Sequence, residues 1–221
     1  MSRISTTAAL LLSLCLTIAC AQEVLETDED RTLYALGLAL GSNIQQFALS
    51  EAELAIVEAG IRDSVLGNDP QVDISVYGAQ IQALASSRAA VRSEAEKQAS
   101  AAFVAEMGQE AGAEVSETGV IYIPMTAGTG SSPTAADTVR VHYHGTLRDG
   151  TVFDSSIDRG EPISFQLTGV IPCWTEGVQK MMVGGKSKLV CPSDTAYGDS
   201  GQGPIPGGAA LVFEVELLGI E

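Results

Sequence analysis

The chain has 221 residues, enough for two ordinary domains of about 100–150 residues and too few for three. Hydrophobic residues make up 45% of it, and its 23 glycines and 8 prolines are scattered, which excludes the disordered and collagen-like classes. Its 28 acidic residues exceed its 12 basic ones, and the resulting net charge of −16 repels phosphate, so no nucleic-acid partner is expected.

Residues 1–21 have the pattern of a signal peptide. Arg3 gives a positive start, residues 8–19 form an apolar run, and small residues follow. The run is too short to span a bilayer stably. We therefore expect an exported protein, located in the periplasm of a Gram-negative bacterium.

The end of this segment allows two kinds of processing. The sequence Ala-Cys-Ala at 19–21 fits an A-x-A cleavage site, whereas residues 18–20 resemble a bacterial lipobox. A lipobox usually has leucine three residues before its cysteine, and this chain has Thr17 there. Simple cleavage is therefore favoured over anchoring to the outer membrane as a lipoprotein through Cys20.

Two helices are predicted after this segment. Apolar residues recur every three or four positions from Leu33 to Phe47, as on one face of a helix. Ser50 followed by Glu53 has the pattern of a capping box at the start of a second helix, which is expected to end at residues 67–70.

A third, long helix is predicted from Asp73 to about Gly112, a stretch without proline. At 1.5 Å per residue it would be about 60 Å long, so its far half is expected to stand clear of any local core. The three helices expose more apolar surface than one chain readily covers, which suggests a homodimer through the N-terminal helices. A small monomeric three-helix unit is the alternative, and the pattern does not decide between them.

From Gly119 onward the pattern changes to that of strands. β-Branched and aromatic residues alternate with polar ones, and glycine or proline separates the runs. The predicted strands are at 120–125, 139–143, 164–167, 186–190 and 211–217, with a short helix of about two turns at 175–182. An antiparallel sheet wrapped on one short helix belongs to the α+β class.

Four stretches of this second half resemble the FKBP family of peptidyl-prolyl cis/trans isomerases. They are VRVHYHGTLRDGTVFDSS at 139–156, VIPCWTEGVQKM at 170–181, AYGDSG at 196–201 and LVFEVELL at 211–218. The stretches occur in the family's order and cover nearly all of residues 119–221. The resemblance implies an FKBP-like fold for this region.

The first half carries a looser resemblance. RTLYALGLALGSNIQ at 31–45, together with the long helix, is similar to the dimerisation domain of the macrophage infectivity potentiator and FkpA-like exported isomerases. The predicted organisation is therefore a signal peptide at 1–21, a helical dimerisation region with a long linking helix at 22–113, and an isomerase domain at 119–221.

The FKBP resemblance implies one pocket with Trp174, the only tryptophan of the chain, as its floor. In the family, the backbone N–H at the position of Ile171 and the hydroxyl at that of Tyr197 bond the substrate's carbonyls. The implied catalytic residues are Tyr143, Phe153, Asp154, Ile171, Trp174, Tyr197 and Phe213, and the implied substrate-binding residues are Ile163, Phe165, Val170 and Ile205. Ile163 stands where many members have phenylalanine, and Gln202 lies near a frequent histidine. Both departures are expected to alter peptide preference and macrolide affinity more than basic activity.

Such a pocket needs no nucleophile and no cofactor. Rotation about an X-Pro bond is slow because amide resonance must be broken, with a barrier of about 18–20 kcal/mol. The twisted amide is less polar than the planar one, so a dry aromatic cavity disfavours the planar state, and oriented donors can stabilise the changed carbonyl or nitrogen.

These residues also have structural alternatives. Each large ring taken singly is more often part of a core than of a site, and Asp154 could instead cap the turn before Ser155. His142 and His144 share a strand face, as metal ligands can, but a third ligand is not near them in sequence, so no metal site is expected.

Cys173 and Cys191 are the two cysteines certain to remain after export, because Cys15 lies in the signal segment. In an oxidising compartment they could form a disulfide, whose loop closure would contribute about 3 kcal/mol. Two buried free thiols are the alternative, and the disulfide is slightly favoured.

The two resemblances thus imply a dimeric isomerase acting on X-Pro bonds of unfolded or partly folded polypeptides, with immunosuppressive macrolides as inhibitors. A cleft between two isomerase domains would in addition allow chaperone activity. The alternatives are a non-catalytic holdase that uses the same pocket and cleft, and a purely structural envelope protein.

Overall fold

The computed structural model describes residues 25–221. The predicted signal peptide, with Cys15 and Cys20, lies outside this range. Within residues 25–221, no helix is both long and apolar enough to cross a membrane.

Helix α1, Asp28–Ile44, belongs to a unit of its own that ends at Gln45. It begins with a capping box in which the Thr27 hydroxyl accepts from the Asp30 N–H at 3.0 Å and the Asp30 carboxylate accepts from the Thr27 N–H at 2.8 Å. The helix predicted from Leu33 is confirmed and starts five residues earlier because of this cap. None of its residues is buried.

The second unit, Gln46–Glu221, begins with the two other predicted helices. Helix α2, Glu51–Leu66, has the predicted capping box at Ser50 and ends at Gly67, whose φ of 69° suits glycine. Helix α3, Ile74–Met107, is capped by the Asp73 side chain.

Arg88 joins α3 to the start of α2. Its guanidinium donates to Glu53 Oε1 at 2.5 Å and to the Phe47 carbonyl at 2.6 Å. The hydrogen bond from Arg88, together with those from Ser50, lowers the pKa of Glu53 to about 2. Glu53 is therefore charged at any pH near neutrality. Its carboxylate completes the capping box of α2 and also binds Arg88 of α3.

The C-terminal half is one antiparallel sheet with short helices, as the α+β prediction requires. Its strands are β1 Glu114–Val115, β2 Ile121–Thr126, β3 Thr138–Leu147, β4 Val152–Ser155, β5 Ile163–Gln166, β6 Lys186–Cys191 and β7 Leu211–Ile220. They are ordered β1-β2-β6-β7-β3-β4, and β5 pairs with β3. Helix α4, Ser156–Arg159, follows β4, and helix α5, Pro172–Val178, begins three residues before the predicted helix, with proline in its first turn.

The main core lies between one face of the sheet and α5. Alternate residues of β3 and β7 point into it, among them Val139, Val141, Val215 and Leu217, which are all fully buried. Val178 of α5 covers them from the other side. Because the same alternation places polar residues outward, this face of the sheet was predictable from the strand pattern.

The opposite face of the sheet is covered by the end of α3. Met107 packs with Ile121, Ile123 and Val190, which alternate with the residues of the main core, and Phe103 lies against this second cluster. The expectation that the far half of α3 stands clear of a core is therefore wrong. Since the second face of β2 and β6 is also apolar, it needs a cover, and α3 supplies it.

Candidate functional site

A cavity of about 550 Å³ opens between the β3–β4 hairpin, the start of α5 and the chain that follows β6. Its wall combines aromatic rings, aliphatic side chains and a few polar groups. It is lined by Tyr143, Phe153, Asp154, Phe165, Gly169, Val170, Ile171, Trp174, Ala196, Tyr197, Gln202 and Phe213.

Trp174 forms the floor of this cavity. It is 4% exposed, and its indole meets the rings of Tyr143, Phe165 and Phe213 edge to face, with centroid distances of 5.3, 5.5 and 5.3 Å. Such T-shaped pairs fix the rings relative to one another. The indole Nε1 is buried and has no hydrogen-bond partner within residues 25–221. The floor is therefore apolar and rigid.

Phe153 forms one side wall. Its ring meets that of Phe213 edge to face at 5.4 Å. A Cβ at Gly145, on the neighbouring strand, would come within 2.7 Å of the Phe153 ring. Glycine at this position lets the ring lie directly over the strand.

Tyr143 and Asp154 form a polar edge of the cavity. The Tyr143 hydroxyl donates to Asp154 Oδ2, Arg159 Nη1 donates to Asp154 Oδ1, and Arg159 Nη2 donates to the Tyr143 hydroxyl at 3.0 Å. Burial raises the pKa of Tyr143, and the hydrogen bond to Asp154 adds to the shift. Burial disfavours charge on Asp154, but the hydrogen bonds from Tyr143 and Arg159 outweigh it and lower the pKa. At neutral pH the edge therefore presents a carboxylate and a neutral phenol.

Two residues that can supply a hydrogen-bond donor line the cavity from different elements. Ile171 precedes α5, and its carbonyl accepts from the N–H groups of Trp174 and Thr175 at 2.9 and 3.2 Å, which orients this peptide at the helix start. Tyr197 comes from the chain after β6, and its hydroxyl has no hydrogen-bond partner in the described part of the chain. The cavity thus offers an apolar floor and an unengaged hydroxyl donor above it.

Comparison with known proteins assigns the chain to a family. Residues 129–218 match the family model of the FKBP-type peptidyl-prolyl cis-trans isomerase, and residues 29–123 match the domain amino terminal to it. FKBP-type peptidyl-prolyl cis-trans isomerase FkpA of Aeromonas hydrophila is 41% identical over 206 residues, which are 87% of this chain and 76% of that protein. The chain belongs to the FKBP-type peptidyl-prolyl cis-trans isomerase family.

The likeness to FKBP-type isomerases extends over both halves of the chain. Outer membrane protein MIP of Legionella longbeachae is 34% identical over 205 residues, 89% of this chain and 88% of that protein. The crystal structure of FkpA from Escherichia coli matches with a TM-score of 0.70 at 33% identity, covering 90% of this chain and 99% of that one. The predicted family, fold class and isomerase activity are confirmed.

The structure brings most of the implied FKBP site residues into one cavity. Nine of them line it, from Tyr143 on β3 to Phe213 on β7. Ile163 and Ile205 do not. Ile163 shares a strand face with Phe165 but lies at the start of β5 and is 36% exposed. Ile205 is buried in the main core.

Sequence reasoning missed Arg159 of the FKBP domain. It lies five residues after Asp154, and the single turn of α4 between them turns its guanidinium back onto the carboxylate. A basic residue shortly after a site aspartate was the available signal. Gln202, noted only as a departure from the family, also lines the cavity.

The two cysteines of the FKBP domain are joined. Cys173 at the start of α5 and Cys191 at the end of β6 form a disulfide with a Cα–Cα distance of 5.6 Å. Both are fully buried, and Cys173 immediately precedes the floor residue Trp174. The bridge thus anchors the helix that carries the floor.

The two histidines of the FKBP domain bond serines. His142 Nδ1 lies 3.1 Å from Ser156 Oγ, and His144 Nδ1 lies 3.0 Å from Ser155 Oγ. In residues 25–221, no group of three or more His, Cys, Asp or Glu side chains is arranged to hold a metal ion. These contacts connect β3 to the turn that follows Asp154.

The lowered pKa of Asp154 predicts how acid destabilises this FKBP domain. Relative to its ordinary pKa of 3.8, the folded protein favours the carboxylate. Its contribution to stability is therefore present above about pH 3.8 and is lost as pH falls through the lower folded-state value. We expect wild type to lose more free energy of unfolding than Asp154→Asn between about pH 6 and pH 2, as measured by guanidinium unfolding.

The exposed neighbour Asp158 provides the control for this measurement. Asp158→Asn should retain the pH dependence of wild type, because its carboxylate is not part of the Tyr143–Arg159 cluster. Identical pH curves for wild type and Asp154→Asn would contradict the prediction.

Proposed function

We propose that the cavity floored by Trp174 is the isomerase site and that X-Pro bonds of unfolded or partly folded polypeptides rotate within it. The observation that carries the proposal is that nine residues from separate sequence motifs line one cavity. We assign a role to each site residue from its position in the cavity. The volume of the cavity and the aromatic rings of its wall suit a prolyl ring, which is small, apolar and rigid.

The apolar floor changes the free-energy difference between the planar and the twisted amide. A planar X-Pro amide has the larger dipole, so transfer from water to a ring-lined cavity disfavours it more than the twisted form. Trp174, Phe213 and Phe153 form that environment. This lowers the rotation barrier without a bond to the enzyme.

The donors hold the peptide on either side of the rotating bond. We assign the N–H of Ile171 and the hydroxyl of Tyr197 to substrate carbonyls, since both groups belong to the cavity wall. Fixing the chain at these points leaves rotation confined to the X-Pro bond. The carboxylate of Asp154, paired with Arg159, keeps the Tyr143 ring in place at the edge.

The direct test is an X-Pro peptide exchange assay with the full mature chain. We expect isomerisation above the uncatalysed rate at micromolar enzyme and inhibition by an immunosuppressive macrolide that competes for the cavity. Uncatalysed rates at high protein concentration would overturn the proposal. In that case, peptide binding detected by Trp174 fluorescence would favour the non-catalytic holdase, and its absence the structural protein.

We further propose that the mature protein is an exported homodimer, in the periplasm or held at the outer membrane through Cys20. Residues 1–21 support export. The large apolar residues of α1, including Leu33, Leu36 and Leu40, are 48–59% exposed. An amphipathic helix without a buried residue needs a partner surface, and a second copy offers the same apolar stripe.

Negative charge on the apolar stripe of α1 is expected to dissociate the dimer. Leu36→Glu/Leu40→Glu places two carboxylates on the proposed interface, and burying them without partners is unfavourable. Sedimentation equilibrium should give the monomer mass for this variant and twice that mass for wild type. Ala35→Glu/Ser42→Glu, which adds the same charge on the side of α1 away from Leu36 and Leu40, should remain dimeric. A monomeric wild type would refute the dimer.

Chaperone activity is the second proposed function, because a dimer could hold unfolded chains between its two isomerase domains. Asp154→Ala should reduce isomerisation yet still suppress aggregation of an unfolded client. Loss of both activities in this variant would indicate that one pocket serves both.

A further inference from the structure

One wall of the cavity belongs to a glycine-rich segment, residues 194–210, which we name the pocket loop. Ala196, Tyr197 and Gln202 of the pocket loop line the cavity. The loop contains five glycines, and four of them have positive φ, namely Gly198, Gly201, Gly203 and Gly208. Such a segment has high conformational freedom when unsupported, so a fixed position for Tyr197 requires contacts from outside the loop.

Helix α3 makes those contacts. Ser93 Oγ donates to the Asp199 carbonyl at 2.9 Å, and Lys97 Nζ donates to Asp199 Oδ1 at 3.0 Å. Ser100 Oγ, in a 3% exposed residue, accepts from the Ala210 N–H at 2.8 Å. Positions 93, 97 and 100 are spaced by four and three, so the three side chains form one stripe along the helix. Lys97 Nζ also lies 3.7 Å from Asp194 Oδ1, so α3 contacts both ends of the pocket loop.

The loop sequence is adapted to this close approach. A Cβ at Gly207 would lie 2.0 Å from the Asp199 carbonyl oxygen and 2.9 Å from Ser93 Oγ. A Cβ at Gly208 would lie 2.5 Å from the Ser93 carbonyl oxygen and 2.9 Å from the Lys97 amide nitrogen. Only glycine at these two positions lets the loop backbone rest on the helix.

Helix α3 also holds the hairpin on the other side of the cavity. Arg148, at the turn between β3 and β4, donates to both carboxylate oxygens of Glu96 at 2.8 and 3.0 Å. Glu96 accepts from Ser100 as well, at 3.0 Å. Helix α3 thus contacts two elements that carry cavity residues.

We infer that Ser93, Lys97 and Ser100 of helix α3 are positioning residues of the isomerase site, which hold the pocket loop in its substrate-binding arrangement. The inference rests on the proposed function of the cavity. Removing the helix contacts leaves the loop folded in the correct place for only part of the time, and apparent substrate affinity falls by the same fraction. Once substrate is bound, the rings that surround the rotating bond are unchanged, so kcat is preserved.

Ser93→Ala/Lys97→Ala tests this in the full chain. Ser100 is left intact because its buried hydroxyl also satisfies a buried N–H and supports folding. We expect KM for a Leu-Pro tetrapeptide, measured by NMR exchange, to rise about 3- to 10-fold with kcat within about twofold of wild type. Ser93→Ala/Lys97→Arg, which keeps a cation opposite Asp199, should bring KM back towards the wild-type value.

Hydrogen exchange provides a readout that does not depend on catalysis. Amides of the pocket loop, including Gly208 N–H, which donates to the Gly198 carbonyl at 2.9 Å, should exchange about tenfold faster in the double variant. Glu94→Ala/Gln98→Ala removes a side-chain hydrogen bond of 2.9 Å from exposed positions of the same helix and should change neither KM nor loop exchange.

The outcomes distinguish a failure of the positioning role of α3 from a failure of the proposed isomerase function. Wild-type KM and wild-type loop exchange in Ser93→Ala/Lys97→Ala would overturn the positioning role while leaving the isomerase site intact. Equal changes in the Glu94→Ala/Gln98→Ala control would also overturn it, because the effect would then be one of helix stability. If wild type is inactive but its loop exchange still depends on Ser93 and Lys97, the proposed function of the cavity is overturned, whereas the role of these two residues in holding the loop is not.

Discussion

Phe153→Ala is expected to lower kcat/KM for X-Pro peptides by about 10- to 100-fold, because the variant removes about 1.5–3 kcal/mol of apolar contact with the prolyl ring and every 1.4 kcal/mol is a factor of ten. The side chain lines the cavity and meets Phe213 edge to face. Its loss would also admit water beside the rotating amide, which weakens the preference for the less polar twisted state. The measurement is the peptide exchange assay on full-length protein.

Val152→Ala is the matched control for Phe153→Ala. Val152 precedes Phe153 on β4, is 46% exposed and lies outside the cavity. Because Phe153 is only partly buried, both variants should fold, as circular dichroism would show. Equal kcat/KM in Phe153→Ala, Val152→Ala and wild type would mean that the reaction takes place elsewhere.

Loss of the Cys173–Cys191 disulfide is expected to lower the free energy of unfolding by about 3 kcal/mol. The bridge closes a chain segment with a sequence separation of 18, and loop closure of that length restricts the unfolded chain by about this amount. Guanidinium unfolding with and without reductant, followed by the fluorescence of Trp174, measures the loss in the domain that contains the bridge.

Cys173→Ala/Cys191→Ala separates the bridge from other effects of reductant. Its stability should be as low as that of reduced wild type and should not respond to reductant. Activity in mild conditions should survive, because the floor ring is also held by Tyr143, Phe165 and Phe213. An oxidised wild type no more stable than the double variant would contradict the prediction.

Much of the fold followed from local patterns. Ser50 and Glu53 placed the start of α2, and alternation in β3 and β7 placed the buried face of the sheet. These features were predictable because caps and periodicities depend on residues within a few positions of one another. Strand β1, of two residues, was too short to give such a pattern, and the short strand β4 was also not predicted.

Most residues of the site were predictable from its sequence motifs, but the prediction of their arrangement in space was incomplete. Residues such as Trp174 and Tyr197 lie in stretches that resemble the FKBP family, and they line the cavity. The resemblance also assigned Ile163 and Ile205 to the pocket. Their displacement from the wall depends on where β5 begins and how the loop before β7 folds, which the motif does not specify.

By itself, the sequence determined the family, the order of the longer helices and of five of the strands, and the set of rings from which an apolar cavity is built. Tertiary structure alone decided that Arg159 joins Tyr143 and Asp154, that α3 covers the second face of the sheet, and that Ser93 and Lys97 meet the pocket loop. For the contact between α3 and the pocket loop, the physical reason is distance along the chain. Ser93 and Asp199 are 106 residues apart, and no periodicity, cap or spacing links them until the whole core has packed.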